Sequence, residues 1–329
     1  MAIAFFGTGG TISNRGTGSG QYLDYLDRGE VMSAKELISL YPALDEISDI
    51  RVESFGTLRS KHVTSEHWKT LAQRLDECLK EPDIVGAVIA HGTGTLEETA
   101  WFLHLVVATN KPVVIVGAQR PGNTVGSDTA LNLADAFRVA VSPQSVGAGV
   151  TVVMNRQIHS ARDVSKVANH SLTALQSPVR GALGMIQADN TVRYWRKPPN
   201  PHTTDSAFAA TAVSAPRVDI VHAYTDADAT AVDAFLAAGA AGLIAVGYPP
   251  GTLTQPLDDA IDIAIGHGIL VVQATRAQLE PQVMARSGLV GRGLIANTDI
   301  TPTKARILLQ LCLAHRLDRD DTAEIFAAY

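Results

Sequence analysis

The chain has 329 residues, which at roughly 100 to 200 residues per domain makes two domains the expectation, with a large buried core. Hydrophobic residues make up 46% and charged residues 18%, a globular composition too apolar for a disordered chain. The net charge of -6 leaves no basic surplus for a phosphate backbone, and no apolar run approaches the roughly 18 residues of a membrane span, so neither nucleic acid nor membrane is an expected partner.

In chain order, residues 3–6 read as a buried strand that turns at Gly7-Thr8-Gly9-Gly10. The apolar stretch before that turn is too short for a secretory leader, so the expected location is the cytoplasm. Ser33-x-x-Glu36 and Thr95-x-x-Glu98 have the spacing of capping boxes, in which hydroxyl and carboxylate satisfy free backbone N–H groups at a helix start. Residues 66–79, 96–107 and 127–141 carry apolar side chains at three- and four-residue spacing and read as helices. The short apolar runs 84–90, 113–116 and 150–154 read as strands. Residues 196–216, rich in proline, threonine and serine, read as a linker. Beyond it, strands are expected at 218–221, 243–246 and 269–272, and helices at 229–238, 256–265 and 302–314. Alternation of strand and helix predicts an α/β fold with a parallel sheet: a larger catalytic domain over 1–195, a linker over 196–216 and a smaller α/β domain over 217–329. Cys78 and Cys312, the two cysteines, fall in helical stretches and read as small buried hydrophobes rather than a disulfide or metal site.

Ligands of open α/β sheets bind beyond the carboxyl ends of strands, so the polar residues after each strand come first. Two loops stand out: Gly7-Thr8-Gly9-Gly10-Thr11-Ile12 after the first strand, and His91-Gly92-Thr93-Gly94-Thr95 after residues 84–90. Each combines small residues, which let a ligand approach the backbone, with hydroxyls that can act as nucleophile or donor. Neither is a nucleotide loop, since the third glycine of the dinucleotide fingerprint and the Gly-Lys-Ser/Thr signature are both missing; a purely structural glycine turn is the alternative. His91, at a strand end, reads as a packed histidine rather than a base. Arg162-Asp163-Val164-Ser165-Lys166 is a solvated charged loop on the plain reading. On the functional one, burial lowers the pKa of Lys166 so that it takes a proton from a threonine.

Gly9-Gly10-Thr11-Ile12, His91-Gly92-Thr93-x-Thr95-x-Glu97-Glu98-Thr99-Ala100, Lys111-Pro112-Val113-Val114, Gly117-Ala118-x-Arg120-Pro121, Arg162-Asp163-Val164-x-Lys166 and Pro302-x-Lys304-Ala305-Arg306 together resemble the bacterial L-asparaginase/glutaminase family, in order along nearly the whole chain. The resemblance implies a two-domain α/β amidohydrolase without metal or organic cofactor, commonly a tetramer of intimate dimers with sites completed by a neighbouring subunit. By position, Thr11 matches the nucleophile, Thr93 the second catalytic threonine and Lys166 the lysine that handles its proton. Tyr25, with Tyr22 as the alternative, matches the tyrosine of the mobile loop, and the glycine-rich residues 15–20 its hinge. Ser60, eight residues before Trp68, matches the serine that holds a substrate carboxylate, and Gly92 and Ala118 match positions around the substrate.

Three departures gather at one pocket. Gly94 stands where the family carries an aspartate for the substrate's α-ammonium, a charge-assisted partner worth roughly 1.5 to 3 kcal/mol. Lys61 replaces the glutamine after the serine. Pro249-Pro250-Gly251-Thr252-Leu253 replaces the stretch that contributes an asparagine, with Glu280 the acidic residue offered as partner to the tyrosine. The expected function is therefore an amidohydrolase with a threonine nucleophile, acting on an asparagine-related or cyclic amide that lacks a free α-ammonium. Two alternatives use the same residues: an ordinary L-asparaginase/glutaminase releasing ammonia, and an inactive protein that binds a small acid.

Overall fold

The computed structural model describes residues 1–53, 55–211 and 216–329. Two compact units divide the chain, Met1–Ala212 and Val213–Tyr329. The first is built on an eight-stranded sheet in the order Val192–Tyr194, Gly184–Ile186, Gln157–Ser160, Val150–Met154, Val113–Val116, Ile84–Ala90, Ala2–Gly7, Asp49–Glu53. The last five run parallel, and the three at the other edge are antiparallel. The central strands are continuous apolar runs because both faces are covered, as a parallel sheet requires. On one face Ile3, Phe5, Val88, Val114 and Val116 pack with Leu133, Ala136 and Phe137 of the helix Thr129–Val141. The alternate residues Ala4, Phe6, Ala87 and Ile89 point the other way and are equally buried. The helices Ser65–Leu79 and Leu96–Val106 pack against each other and on strands of this sheet, with the rings of Trp68 and Phe102 stacked 5.5 Å apart.

Strand register decides where the loops emerge. Gly7 lies opposite Ala90, and Ala90 opposite Val116, so three neighbouring strands end level and release their loops side by side.

The second unit is a four-stranded parallel sheet in the order Val218–His222, Gly242–Gly247, Leu270–Thr275, Ile295–Ala296. Val232 of the helix Thr230–Ala237 and Leu257, Ala260, Ile261 and Ala264 of Gln255–Gly266 form its core with Leu243, Ala245 and Val271. The helix Pro302–Ala314 packs on three of the strands; Thr301 caps it by accepting the N–H of Lys304 at 3.4 Å, and Pro302 sits where its missing N–H costs nothing. The fold is thus the two-part α/β arrangement expected, with a larger, mostly parallel first unit.

Several local readings change. The Ser33–Glu36 capping box is present, but Thr95 makes no cap, because its hydroxyl donates instead to Ser60 O at 3.1 Å. The helix read over 127–141 starts at Thr129, after Asp128 has turned to accept the N–H groups of Gln119 and Arg120. Much of the expected linker packs on the first unit: Phe208 is buried, Thr203–Asp205 forms a 3-10 turn against the helix Leu96–Val106, and Ala210 N–H donates to Val106 O at 2.7 Å. Residues 212–215 of that stretch lie outside the described residues. The Arg162-Asp163 loop is not solvated; the Asp163 carboxylate, 4% exposed, pairs with Arg162 at 3.2 Å and Arg196 at 3.7 Å. Both cysteines are buried, Cys78 with its sulfur 2.8 Å from an Arg51 nitrogen. Among the described residues no helix is long and apolar enough to cross a membrane.

Candidate active site

Glycine holds the first two loops together. Gly9 and Gly10 have φ of 100° and 88°, a region side chains avoid, and a Cβ on Gly10 would stand 2.2 Å from Gly92 Cα. The backbones of the two loops therefore touch, which carries Thr11 and Thr93 to the same end of the sheet. Gly117, at the end of the third strand, makes room in the same way: a Cβ there would meet Thr93 Cγ2 at 2.7 Å. Ser60 is seated from the other side, since a Cβ on Gly92 would meet Ser60 Cβ at 2.7 Å and one on Gly94 would meet Ser60 Oγ at 2.9 Å.

These loops wall a cavity of about 530 Å³. Of the nine residues singled out in the sequence, Thr11, Tyr25, Ser60, Lys61, Gly92, Thr93, Gly94 and Lys166 line it. Ala118 does not; it is fully buried, and its neighbour Gln119 forms the wall at that point. Two pairs of functional groups face the space. Thr11 Oγ1 and Tyr25 Oη are 2.9 Å apart, and Lys166 Nζ donates to Thr93 Oγ1 at 2.7 Å. Tyr25, 7% exposed, is the tyrosine that reaches Thr11, whereas Tyr22 is 40% exposed and donates to Val125 O at 3.0 Å. Glu280 belongs to the second unit, where it is exposed.

Electrostatics distinguish the lysine. Burial lowers the pKa of Lys166 below the ordinary lysine value, and the nearby Glu97 charge works in the opposite direction. Glu97 Oε2 also accepts the backbone N–H of Lys166 at 2.9 Å. His91 is packed, as expected, and plays a defined part. Trp68 Nε1 donates to Thr99 Oγ1 at 2.8 Å, Thr99 donates to His91 Nε2 at 3.0 Å, and His91 Nδ1 donates to Gly92 O at 2.9 Å. That run of donors assigns the neutral tautomer with its proton on Nδ1, in keeping with burial that pushes the pKa down to about 4.

Sequence reading passed over Arg59, Asp27, Gln119, Asn169 and His170, all on the cavity wall. His170 carried a signal, standing four residues after Lys166, and Arg59 is next to Ser60; nothing local marks Asp27.

Comparison with known proteins finds relatives along nearly the whole chain. Residues 2–200 match the model "Asparaginase, N-terminal", and residues 217–326 match "Glutaminase/Asparaginase C-terminal domain". The chain belongs to the asparaginase family. A glutaminase-asparaginase of Pseudomonas fluorescens biotype A is 34% identical over 99% of this chain and 90% of its own length. The L-asparaginase 2 of Escherichia coli K12 is 33% identical over 99% of this chain and 93% of its own. Among solved structures, that of a probable cytoplasmic L-asparaginase from Campylobacter jejuni superposes with a TM-score of 0.95 at 32% identity, covering 100% of this chain and 99% of that one. Members of the family are amide hydrolases, and this chain carries both of its domains.

Proposed function

We propose that this asparaginase-family amidohydrolase works through an acyl-enzyme on Thr11, and that its substrate is an asparagine-related or cyclic amide without a free α-ammonium. The observation that carries the reading is the pair of short contacts, Thr11 to Tyr25 and Thr93 to Lys166, facing one cavity. Thr11 Oγ1 bonds to the amide carbon while its proton passes toward the leaving nitrogen, with Tyr25 Oη in reach to relay it. The C–N bond breaks; from a primary amide, ammonia departs. Water then attacks the ester, and Thr93, its proton taken by the neutral form of Lys166, supports that second step. Thr11 regains its proton as the acid leaves.

Two features support an unusual substrate. No side chain projects from Gly94 to meet an ammonium, and the wall carries Arg59 and Lys61 against the carboxylate of Asp27. That balance favours an anionic group on the substrate. Ordinary asparaginase or glutaminase activity is the second reading, favoured by the names of the relatives and by Asp27, a carboxylate able to receive an ammonium from another direction. Ammonia release from asparagine, glutamine, N-acetyl-asparagine and succinamate separates them; a micromolar KM for asparagine overturns the first. Thr11→Ala is expected to lower turnover by about 10⁴ to 10⁶ while the variant remains folded. Retention of more than about a hundredth of the rate removes the covalent role. A cytoplasmic location belongs to the same reading, supported by the likeness to the Campylobacter jejuni structure. Recovery of the native protein in a periplasmic fraction would overturn it.

A further inference from the structure

We propose that Glu97 is the positioning residue for Lys166: its carboxylate anchors the strand that carries the lysine and sets a fixed negative charge beside the lysine's ammonium. The inference rests on the reading of Lys166 as proton acceptor for Thr93. Glu97 lies in the first turn of the helix Leu96–Val106, where the helix dipole favours a carboxylate. Its Oε2 accepts the backbone N–H of Lys166, 69 residues further along the chain, at 2.9 Å.

Lys166 is half of a two-residue strand, Ser165–Lys166, paired among the described residues only with Leu175–Gln176. So small a ladder fixes a backbone weakly, and a long side chain working from it needs a second hold. Glu97 supplies one. Thr93 and Glu97 stand four residues apart across the start of the helix, and each meets one end of the same lysine, Thr93 at Nζ and Glu97 at the backbone N–H. The segment is thus tied to the threonine loop at two points.

The charge has a separate effect. Besides Glu97, the titratable groups on the wall around Lys166 are Tyr25 and Asp27 from the short helix Tyr25–Arg28, Arg59 and Lys61 from the turn at Ser60, and His170 from the loop after the lysine. Burial disfavours the ammonium, and Glu97 is the group whose charge opposes that effect. With glycine at position 94, no carboxylate of the threonine loop shares the task.

Glu97→Gln separates the two roles, because an amide oxygen keeps the hydrogen bond and loses the charge. Without the charge the neutral amine persists to lower pH. The acid limb of kcat/KM against pH should therefore move to lower pH, with relative rates on the acid side several-fold above those of the unmodified enzyme. Glu97→Ala removes the anchor as well and should lower kcat across the whole pH range by about tenfold or more, the scale of a misplaced catalytic group. Superimposable pH profiles for the unmodified enzyme and Glu97→Gln would overturn the proposal. A carbon-13 NMR titration of Lys166, assigned with Lys166→Arg, reads the same coupling without turnover and should show the lysine deprotonating at lower pH in Glu97→Gln. If Lys166→Met keeps full turnover, the proton-acceptor reading falls; an unmoved titration overturns the role of Glu97 independently.

Discussion

Ser60 rests against the backbone of Gly92 and Gly94, and the two contacts differ in how much they yield. A Cβ at residue 92 meets Ser60 Cβ, whereas one at residue 94 meets only the hydroxyl, which a rotation about one bond moves aside. Gly94 has no positive φ, so a side chain is tolerated there. Gly94→Asp is therefore expected to fold and to shift preference toward free asparagine, since the new carboxylate attracts an ammonium and repels an anionic group near Lys61. The same carboxylate favours the protonated form of Lys166, which keeps the gain in rate modest. The ratio of kcat/KM for asparagine to that for N-acetyl-asparagine checks this, and an unchanged ratio would show that Gly94 does not set selectivity.

The segment that carries Tyr25 is held from below by the loop after Gln119. Asn123 clasps Gly16 on both sides, accepting its N–H at 2.7 Å and donating to its carbonyl at 2.9 Å. Val125 adds a bond from its N–H to Ser19 O at 2.8 Å, and the Arg120 guanidinium lies 5.3 Å from the centre of the Tyr22 ring. Residues 15–20, legible in the sequence only as a glycine-rich hinge, are thus fastened at defined points. Asn123→Ala loses two exposed hydrogen bonds, about 1 to 2 kcal/mol together, which amounts to roughly five- to thirtyfold in the balance between fastened and loose forms. Limited trypsin cleavage at Arg15 should quicken and kcat should fall, while the urea midpoint of the whole protein stays near that of the unmodified chain. Unchanged cleavage would mean that the remaining contacts hold the segment without the clasp.

For the molecule as a whole, two buried histidines make stability depend on pH. Burial holds His91 and His159 at a pKa of about 4, against an ordinary value of 6.5. The unfolded chain therefore binds more protons than the folded one as pH drops from about 6.5 to about 4, and stability declines through that window. His91 is fully buried, so its share is on the order of 3 kcal/mol. The urea midpoint should fall between pH 7 and pH 4.5, and less steeply in His91→Gln; equal slopes would show that His91 is not held neutral. The family resemblance also leads us to propose a tetramer, with subunit interfaces of roughly 2,000 Å² or more. Light scattering on active protein tests this, and a fully active monomer at nanomolar concentration removes it.

What the sequence determined by itself comes from local pattern. Apolar runs such as 84–90 and 113–116, too short for helices and set between helical stretches, read as strands covered on both faces, and the threonine–glycine loop directly after 84–90 belongs at the ligand end of a parallel sheet. That was enough for the fold class, the two threonine loops and Lys166, whereas Tyr25, Ser60 and Lys61 were named only through the family resemblance. The short strands Gln157–Ser160, Gly184–Ile186 and Val192–Tyr194 escaped notice because they pair antiparallel at one edge and need no unbroken apolar run. Tertiary structure alone decided which tyrosine meets Thr11, why Thr95 gives up its cap to hold Ser60, and that Glu97 bonds to Lys166. Each is a choice among chemically similar neighbours, Tyr22 or Tyr25, cap or distant carbonyl, Glu97 or Glu98. Side-chain type and spacing leave such choices equal. They are settled by which backbone packs alongside, and glycines 10, 92 and 117 bring those backbones together.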